Sequence, residues 1–190
     1  MDRKYIEAQV FDKIDFSENP IQMGEYEYCT FASCNFTKAD LSQIRFLDCE
    51  FLECNLSNTI LHNTSFLEVS FKDCKMIGLH FDQCNTYGLE VTFERCQLNY
   101  SSFFEVSLPK TLFSHCQLHF TDFTRCNLSR SEINHCDLLN ATFHDTVLEK
   151  VDFRHSTQYS IDPDQNKIKG AKFSLPEALS LLSKYKIQIT

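Results

Sequence analysis

Residues 29–58 read CTFAS-CNFTK-ADLSQ-IRFLD-CEFLE-CNLSN, which is six units of five residues, each with a large apolar side chain at its centre. A period of five fits neither the 3.6-residue period of an amphipathic helix nor the 2.0-residue period of a half-buried strand. The chain must therefore turn in every unit and bring the same positions back to a common interior. We expect a coil with flat sides, whose successive turns stack about 4.8 Å apart and form hydrogen bonds between their backbones.

The same period extends in both directions along the chain. Large apolar residues occupy every fifth position from Phe11 to Phe81, Thr86 breaks the series, and the period resumes two residues out of step from Phe93 to Phe153. Two residues before each centre the side chain is small or medium-sized, and all ten cysteines stand at that position. The remaining three positions hold most of the polar and charged residues, so two positions in five are predicted to face inward.

Cysteines in this number are compatible with a disulfide scaffold, a metal site or core packing. A regular five-residue spacing distributes the thiols over different walls of the coil, whereas zinc ligands converge on one point. Parallel inward side chains are also poorly oriented for the torsion of a disulfide. We predict ten free thiols that fill small core positions, and we expect neither a metal nor a cofactor.

Motifs of catalysis and of membrane insertion are missing from the sequence. It contains no glycine-rich phosphate loop, no His-Glu-x-x-His and no Gly-x-Ser-x-Gly, so we expect no enzyme activity. No stretch approaches the roughly 18 consecutive apolar residues of a membrane span, and the start of the chain does not resemble a signal peptide. A cytoplasmic protein is expected.

The units ADLSQ at residues 39–43 and CNLSR at residues 126–130 resemble the repeat of the pentapeptide-repeat proteins, approximately Ala-(Asp/Asn)-Leu-x-x. The resemblance covers roughly residues 11–156. It implies an all-β solenoid, a right-handed quadrilateral parallel β-helix with four units per coil. Residues 1–156 would form this β-helix, with an N-terminal cap at 1–10 and a register break at 87–90 around Tyr87 and Gly88.

Two further stretches are similar to the quinolone-resistance (Qnr-type) subgroup of that family. They are the break CNTYGLEVTFERC at residues 84–96 and the tail IDPDQNKIKGAKFSLPEALSLLSKYKIQI that starts at Ile161. Members of the subgroup bind DNA gyrase or topoisomerase IV through an acidic rod that mimics a DNA duplex, and they pair through the C-terminal end. This chain departs from many of them because no long loop interrupts its repeats, and in some members such loops are tied to protecting gyrase from the drug.

Residues 157–190 are predicted to form a C-terminal cap. Ser174-Leu175-Pro176-Glu177 has capping-box spacing, which predicts an α-helix at about residues 175–185. Ile187 and Ile189 alternate with polar residues, as in a short strand. An apolar helix at this end would cap the last coil, pair two chains, or both, and the resemblance favours a homodimer. The residues assigned to this role are Leu175, Leu179, Leu182, Tyr185 and Ile187.

The charge of the chain is concentrated on the predicted rod. The formal net charge is −8, and residues 11–156 hold 21 acidic and 11 basic residues. Outward corner residues of the N-terminal half would line two adjoining columns, and they are Asp48, Glu53, Glu68 and Asp73. These carboxylates either only solvate the rod or form a face that docks in a basic, DNA-binding groove. Direct nucleic acid binding is not expected, because the rod has no basic stripe and a net charge of −8 would repel phosphates.

His115, His135 and His155 are each separated by 20 residues. In a coil of four units they would form an exposed column with a spacing of about 4.8 Å. Either they are three solvated histidines, or the column is a weak metal or pH-sensitive site.

The function favoured by these observations is a non-enzymatic interaction protein, an acidic DNA-mimicking rod that binds DNA gyrase or topoisomerase IV and confers quinolone resistance. The alternative is a generic pentapeptide-repeat scaffold that binds an unrelated protein partner.

Overall fold

The chain turns because the residue at the end of each unit adopts a left-handed backbone conformation. Asp48, Glu53 and Asn58, for example, have φ angles of 50°, 53° and 55°. This region of φ/ψ space is unfavourable for any single L-residue. The fold nevertheless uses it at nearly every corner. The computed structural model describes residues 4–188, most of which wind in this way into a right-handed parallel β-helix of about seven coils. The predicted fold class is confirmed.

Two parallel sheets form two walls of the coil. One has four strands in the order β1-β3-β5-β7, and the other has seven in the order β11-β10-β9-β8-β6-β4-β2. The other two walls are joined by single bridges, such as Asn35 with Asn55 and Ser102 with Asp122. The strands are β1 Lys4–Glu7, β2 Val10–Asp12, β3 Gly24–Glu27, β4 Thr30–Ala32, β5 Arg45–Leu47, β6 Glu50–Leu52, β7 Ser65–Leu67, β8 Val69–Lys72, β9 Val91–Glu94, β10 Leu112–Ser114 and β11 Glu132–Asn134.

The first coil begins earlier than the repeat pattern suggested. Strand β1 pairs in register with β3, with Lys4 opposite Gly24, and Ile6 is partly buried against the core. Residues 4–10 of the predicted cap therefore continue the coil. Gly24 permits this pairing, because a Cβ at that position would lie 2.3 Å from the carbonyl oxygen of Lys4.

The core consists of columns of aromatic rings. Phe31, Phe51 and Phe71 occupy the same position in successive coils, and their ring centroids are 4.7 and 5.0 Å apart with nearly parallel planes. Neighbouring columns meet edge to face, as Phe103 does with Phe113 at 5.9 Å and 89°. Both geometries suit the quadrupole of aromatic rings. The repeated use of phenylalanine follows from this, because each coil presents the same space to the next.

The register break is confined to one wall. Tyr87 is 87% exposed, and Gly88 has a φ of +71°. The four-stranded sheet ends at β7 just before the break, whereas β8 pairs directly with β9, with Val69 opposite Val91. The coil with two extra residues therefore still contributes one strand to the seven-stranded sheet, and this sheet continues past the break without interruption.

The position two residues before each centre contributes hydrogen bonds as well as a small volume. The thiol of Cys54 donates to the carbonyl of Phe31 at 3.2 Å, and the hydroxyl of Thr64 donates to that of Leu41 at 2.8 Å. Each acceptor lies 23 residues earlier, on the preceding coil. Cysteine, serine and threonine therefore recur at this position because they fit the space and satisfy a buried carbonyl group.

The C-terminal helix differs from its prediction in type and in its N-terminal cap. Glu177–Tyr185 is a 3₁₀ helix rather than an α-helix. The capping box does not form, because the side chain of Ser174 instead accepts a hydrogen bond from the backbone nitrogen of His155 at 3.1 Å. Ile187 is not in a strand, and Ile189 lies outside the described residues.

The hydroxyl group of Ser131 bridges two coils, and its removal should be costly. It donates to the carbonyl of Leu108 at 2.9 Å and accepts from the backbone nitrogen of Thr111 at 3.0 Å. Ser131→Ala leaves both buried groups without a partner and should lower the free energy of unfolding by at least about 2 kcal/mol. Urea titration followed by circular dichroism measures the change.

Ser57→Ala is the matched control for this substitution. Ser57 is also buried, but its hydroxyl group has no hydrogen-bond partner among the described residues. Its removal should leave stability unchanged or raise it slightly. Equal losses in the two variants would show that the bridging hydroxyl does not contribute.

Candidate functional site

The seven-stranded sheet forms the longest continuous face of the rod, and a column of corner residues runs along each side of it. The strand register places these residues one coil apart. The first edge, which precedes the strands, contains Tyr28, Asp48, Glu68, Glu90, Lys110, Arg130 and Lys150. The second edge, which follows the strands, contains Ser33, Glu53, Asp73, Arg95, His115, His135 and His155.

The structure places the four predicted acidic residues as two adjoining columns on the N-terminal half of this face. Asp48 and Glu68 lie on the first edge, and neither forms an ion pair with another described residue. The negative charge of Asp48, followed by that of Glu27, raises the pKa of Tyr28 above its usual value. The N-terminal half of the first edge is therefore a region of negative potential.

Asp73 differs from the other three predicted residues because its charge is neutralised within the protein. The Nε and Nη2 atoms of Arg95 donate to its carboxylate oxygens at 2.6 and 2.9 Å, and this pairing lowers the pKa of Asp73. Among the described residues, the carboxylate of Glu53 accepts a hydrogen bond only from the hydroxyl of Ser33, at 3.2 Å. Asp73 is thus less available to an external cation than Glu53.

The sequence reasoning missed other acidic residues of the same face, among them Glu50 and Glu90. Glu50 lies on the outer side of strand β6, and Glu90 follows Glu68 on the first edge. Both side chains are exposed. Glu50 could have been found from its place in the unit CEFLE, where it is an outward position between the inward residues Cys49 and Phe51, but the position of Glu90 depends on how the break is accommodated. We define the acidic half-face as Asp48, Glu50, Glu53, Glu68 and Glu90.

The C-terminal half of the first edge is basic. Lys110, Arg130 and Lys150 are exposed, have φ angles of 63°, 62° and 60°, and follow one another by one coil. The sequence-based statement that the rod has no basic stripe is therefore wrong. A stripe whose members are 20 residues apart is not visible as a cluster along the chain.

The three histidines form the predicted column on the second edge. The ring centroids of His115 and His135 are 4.7 Å apart, those of His135 and His155 are 5.0 Å apart, and the planes lie within 13° of parallel. The described residues contain no group of three His, Cys, Asp or Glu side chains arranged to hold a metal ion. The rings stack face to face instead of pointing at a common centre.

All ten cysteines are buried and free of disulfides, as predicted. Burial raises the pKa of Cys34 to about 11 and that of Cys49 to about 12. Burial also raises the pKa of Cys84 and of Cys126. Because the thiolate is the reactive form, these side chains are suited to packing and not to chemistry.

The C-terminal helix has one side toward the rod and one toward solvent. Leu181 packs against the core, and Lys184 forms ion pairs with Asp162 and Asp164. In a 3₁₀ helix, residues three apart lie on one line. Leu179, Leu182 and Tyr185 therefore form an outward stripe, and Leu175 and Ile187 are exposed beside it. None of these five predicted residues covers the core, which is contacted by Leu181.

Comparison with known proteins identifies the family. A model described as "Pentapeptide repeat region" matches residues 25–103 and 89–161. These residues make up most of the chain, which therefore belongs to the pentapeptide-repeat family. No relative was found among curated protein sequences.

Solved structures of QnrB1, a plasmid-mediated fluoroquinolone resistance protein, share this fold. One trypsin-treated form has a TM-score of 0.66 at 21% identity, covering 100% of this chain and 95% of that one. A second has a TM-score of 0.63 at 17% identity, covering 99% and 98%. Full-length QnrB1 has a TM-score of 0.58 at 18% identity, covering 97% and 100%. Similarity at this level of identity shows the fold alone. Among residues 4–188, no helix has the length and apolar character needed to cross a membrane.

The buried thiols should be unreactive in the native protein. At pH 8 we expect none of the ten to react rapidly with Ellman's reagent, and all of them to react in guanidinium. Unfolded thiols ionise near pH 8.5, whereas those of Cys34 and Cys49 have raised pKa values of about 11 and about 12 in the folded protein. Their contribution to stability should therefore be greatest below about pH 8.5. It should fall as the pH rises toward 11 or 12.

Asn140→Cys supplies the positive control, because Asn140 is an exposed corner residue. Its engineered thiol should react within the mixing time. Native cysteines that react as fast as this engineered thiol would contradict their assignment to the core.

Proposed function

We propose that the protein is a non-enzymatic, cytoplasmic interaction protein whose acidic half-face imitates DNA and binds DNA gyrase or topoisomerase IV. The observation that carries the proposal is the acidic half-face itself, in which Asp48, Glu68 and Glu90 follow one another by one coil and Glu50 and Glu53 lie on the coil of Asp48. None of these carboxylates has a cation partner among the described residues. Stacked side chains fill the interior of the described coil, which therefore offers no competing site. A partner would therefore be bound on the outer surface.

The spacing of these carboxylates suits a protein groove that binds DNA. The acidic half-face spans three coils, or about 14 Å of the rod, and its five carboxylates, three of them on one coil, average about one charge per 3 Å of length. One strand of DNA carries one phosphate per roughly 3.4 Å. A DNA-binding groove has a row of cationic side chains that neutralises the phosphates of one strand, and these side chains would meet a similar charge density on the acidic half-face. Long-range attraction would also increase the rate of association.

The shared fold with QnrB1 supports the choice of target, since members of that subgroup act on type II topoisomerases. The described coil contains no long loop, and its two extra residues form only the exposed turn at Tyr87 and Gly88. Inhibition of supercoiling is therefore the primary expected effect. Reduced sensitivity to fluoroquinolones is the proposed consequence in the cell.

A scaffold for an unrelated protein is the second candidate, favoured by an exposed aromatic pair. Tyr100 and Phe120 are 61% and 46% exposed, and their rings stack at 5.0 Å with an angle of 2°. Exposed aromatic side chains are enriched in protein interfaces. DNA mimicry does not require them. Tyr100→Ser with Phe120→Ser should leave gyrase binding unchanged and abolish binding of the other partner in a pull-down.

We also propose a homodimer that forms through the outward stripe of the C-terminal helix. Leu179, Leu182 and Tyr185 are 42%, 38% and 56% exposed, an apolar line at the open end of the solenoid. A second copy would bury this apolar stripe away from water. It would also shield the C-terminal end of the solenoid in both chains.

Neutralising the acidic half-face should weaken inhibition of gyrase. The triple variant Asp48→Asn, Glu53→Gln, Glu68→Gln is expected to raise the concentration for half-inhibition of supercoiling about tenfold, at a few tenths to 1 kcal/mol per charge. The matched control, Glu18→Gln, Asp145→Asn, Glu149→Gln, removes three exposed carboxylates elsewhere on the rod. It should change inhibition less than about twofold. No inhibition by micromolar wild-type protein would refute the proposal.

Leu182→Glu should convert the dimer to a monomer, because it places a charge in the apolar stripe. Sedimentation equilibrium should then give 22.2 kDa rather than twice that mass. Ile60→Glu is the control, since Ile60 is a similarly exposed apolar residue on the rod, at 48%. The dimer proposal fails if the wild-type protein already sediments as a monomer.

A further inference from the structure

The first edge carries its charges in an ordered run. Three acidic residues are followed by three basic residues, each one coil from the next. The run reads Asp48, Glu68, Glu90, Lys110, Arg130, Lys150. Asp48 is half-buried and the other five are exposed. Among residues 4–188, none of the six side chains forms an ion pair or a side-chain hydrogen bond.

Elsewhere on the rod, opposite charges that are one coil apart pair within the molecule. Glu25 pairs with Arg45 at 2.8 Å, and Glu105 pairs with Arg125 at 2.6 Å. On the first edge, in contrast, each residue is followed by one of the same sign, except where Glu90 precedes Lys110. Like charges in neighbouring positions of a sheet are destabilising. This repulsion is not relieved inside the protein, so the edge is suited to a partner with the opposite charges in the opposite order.

A two-fold axis supplies such a partner from the chain itself. The six positions are evenly spaced, because Val69 lies opposite Val91 and the 22-residue coil still advances by one step. An axis perpendicular to the edge, between Glu90 and Lys110, reverses the order of the charges. It places each acidic residue opposite a basic residue of the second copy, as Asp48 with Lys150, Glu68 with Arg130 and Glu90 with Lys110.

We propose that two copies of the protein associate side by side and antiparallel along their first edges. The contact is isologous, because the same surface serves both copies, and by itself it joins only two chains. A nucleic acid or another polyanion would match only the basic half and would be repelled by the acidic half. A basic groove would match only the acidic half. A second copy is complementary along the whole edge.

The contact is expected to be weak and sensitive to salt. Ion pairs between exposed side chains contribute little individually, and they are screened when the Debye length becomes short. Tyr87, three residues before Glu90, is 87% exposed and lies on the coil next to the axis, where it can add an apolar contact. Pairing would cover Asp48 and Glu68, so the paired form could not present them to another protein. The inference does not rest on the proposed function or on the C-terminal contact, although the pairing would compete with binding of a partner at the acidic half-face.

Charge reversal tests the proposal. The wild-type full chain is examined at high concentration by sedimentation velocity. It should show an association step at 0.01 M ionic strength, and this step should disappear at 1 M because the Debye length falls from about 30 to about 3 Å. A basic-to-acidic triple variant and an acidic-to-basic triple variant should each lack the step. The first is Lys110→Glu, Arg130→Glu, Lys150→Glu, and the second is Asp48→Lys, Glu68→Lys, Glu90→Lys.

Two recombinations separate this contact from misfolding and from the C-terminal contact. An equimolar mixture of the two triple variants should regain the step as a heterodimer, because one edge is then wholly acidic and the other wholly basic. A chain that carries all six reversals should regain it alone, because its edge is again self-complementary. Failure of both recombinations to restore association would overturn the proposal, as would a wild-type protein that shows no salt-dependent step.

The matched control has the same net charge as the basic-to-acidic variant but an unchanged first edge. It carries Lys13→Glu, Lys38→Glu and Lys75→Glu, three exposed cations that form no ion pair among the described residues. This control should retain the association step. Loss of the step in the control would show that net charge, and not the order of charges on the edge, governs association, and the proposal would then fail.

Discussion

The stacking of each coil on the next is the constraint on which the rest of this structure depends. Backbone groups bond from coil to coil with a fixed offset, so a residue is adjacent to those about 20 positions before and after it. Phe31 therefore lies against Phe51, and Phe51 against Phe71. The same offset operates on the surface, where it aligns the rings of His115 and His135. Residues form columns both in the core and on the surface. When the residues of a column are alike, their apolar surface, charge or aromatic rings lie next to one another along the rod.

The small inward position shows how two requirements meet in one residue. The coil needs a side chain of limited volume there, and the carbonyl of the preceding coil needs a donor. Cys54 and Thr64 satisfy both with different chemistry. A cysteine in this position is therefore interchangeable in role with threonine or serine. This explains why so many cysteines occur in a chain in which they serve to pack the described core and not as reactive groups.

The register break determines how the surface charges line up. Its two extra residues are accommodated on the wall of the four-stranded sheet, where Tyr87 is turned out to solvent. The seven-stranded sheet continues because Val69 still pairs with Val91. For this reason Glu90 continues the line begun by Asp48 and Glu68, and Lys110 follows it. If the insertion had interrupted the seven-stranded sheet, the acidic and basic halves of the first edge would not share one straight line.

The sequence by itself determined the solenoid, its inward positions and the site of the break, because a five-residue period leaves the chain no regular alternative and each residue's place depends only on local spacing. It also predicted the columns of Asp48, Glu53, Glu68 and Asp73 once a coil of four units was assumed. Only the tertiary structure decided which charges are neutralised and which are exposed. Arg95 reaches Asp73 across a coil of 22 residues, and Lys110 aligns with Arg130 and Lys150. The type of the C-terminal helix was also not predictable from the sequence. Leu181 and Lys184 contact residues of the rod that are distant in sequence, and helix propensity does not include such contacts.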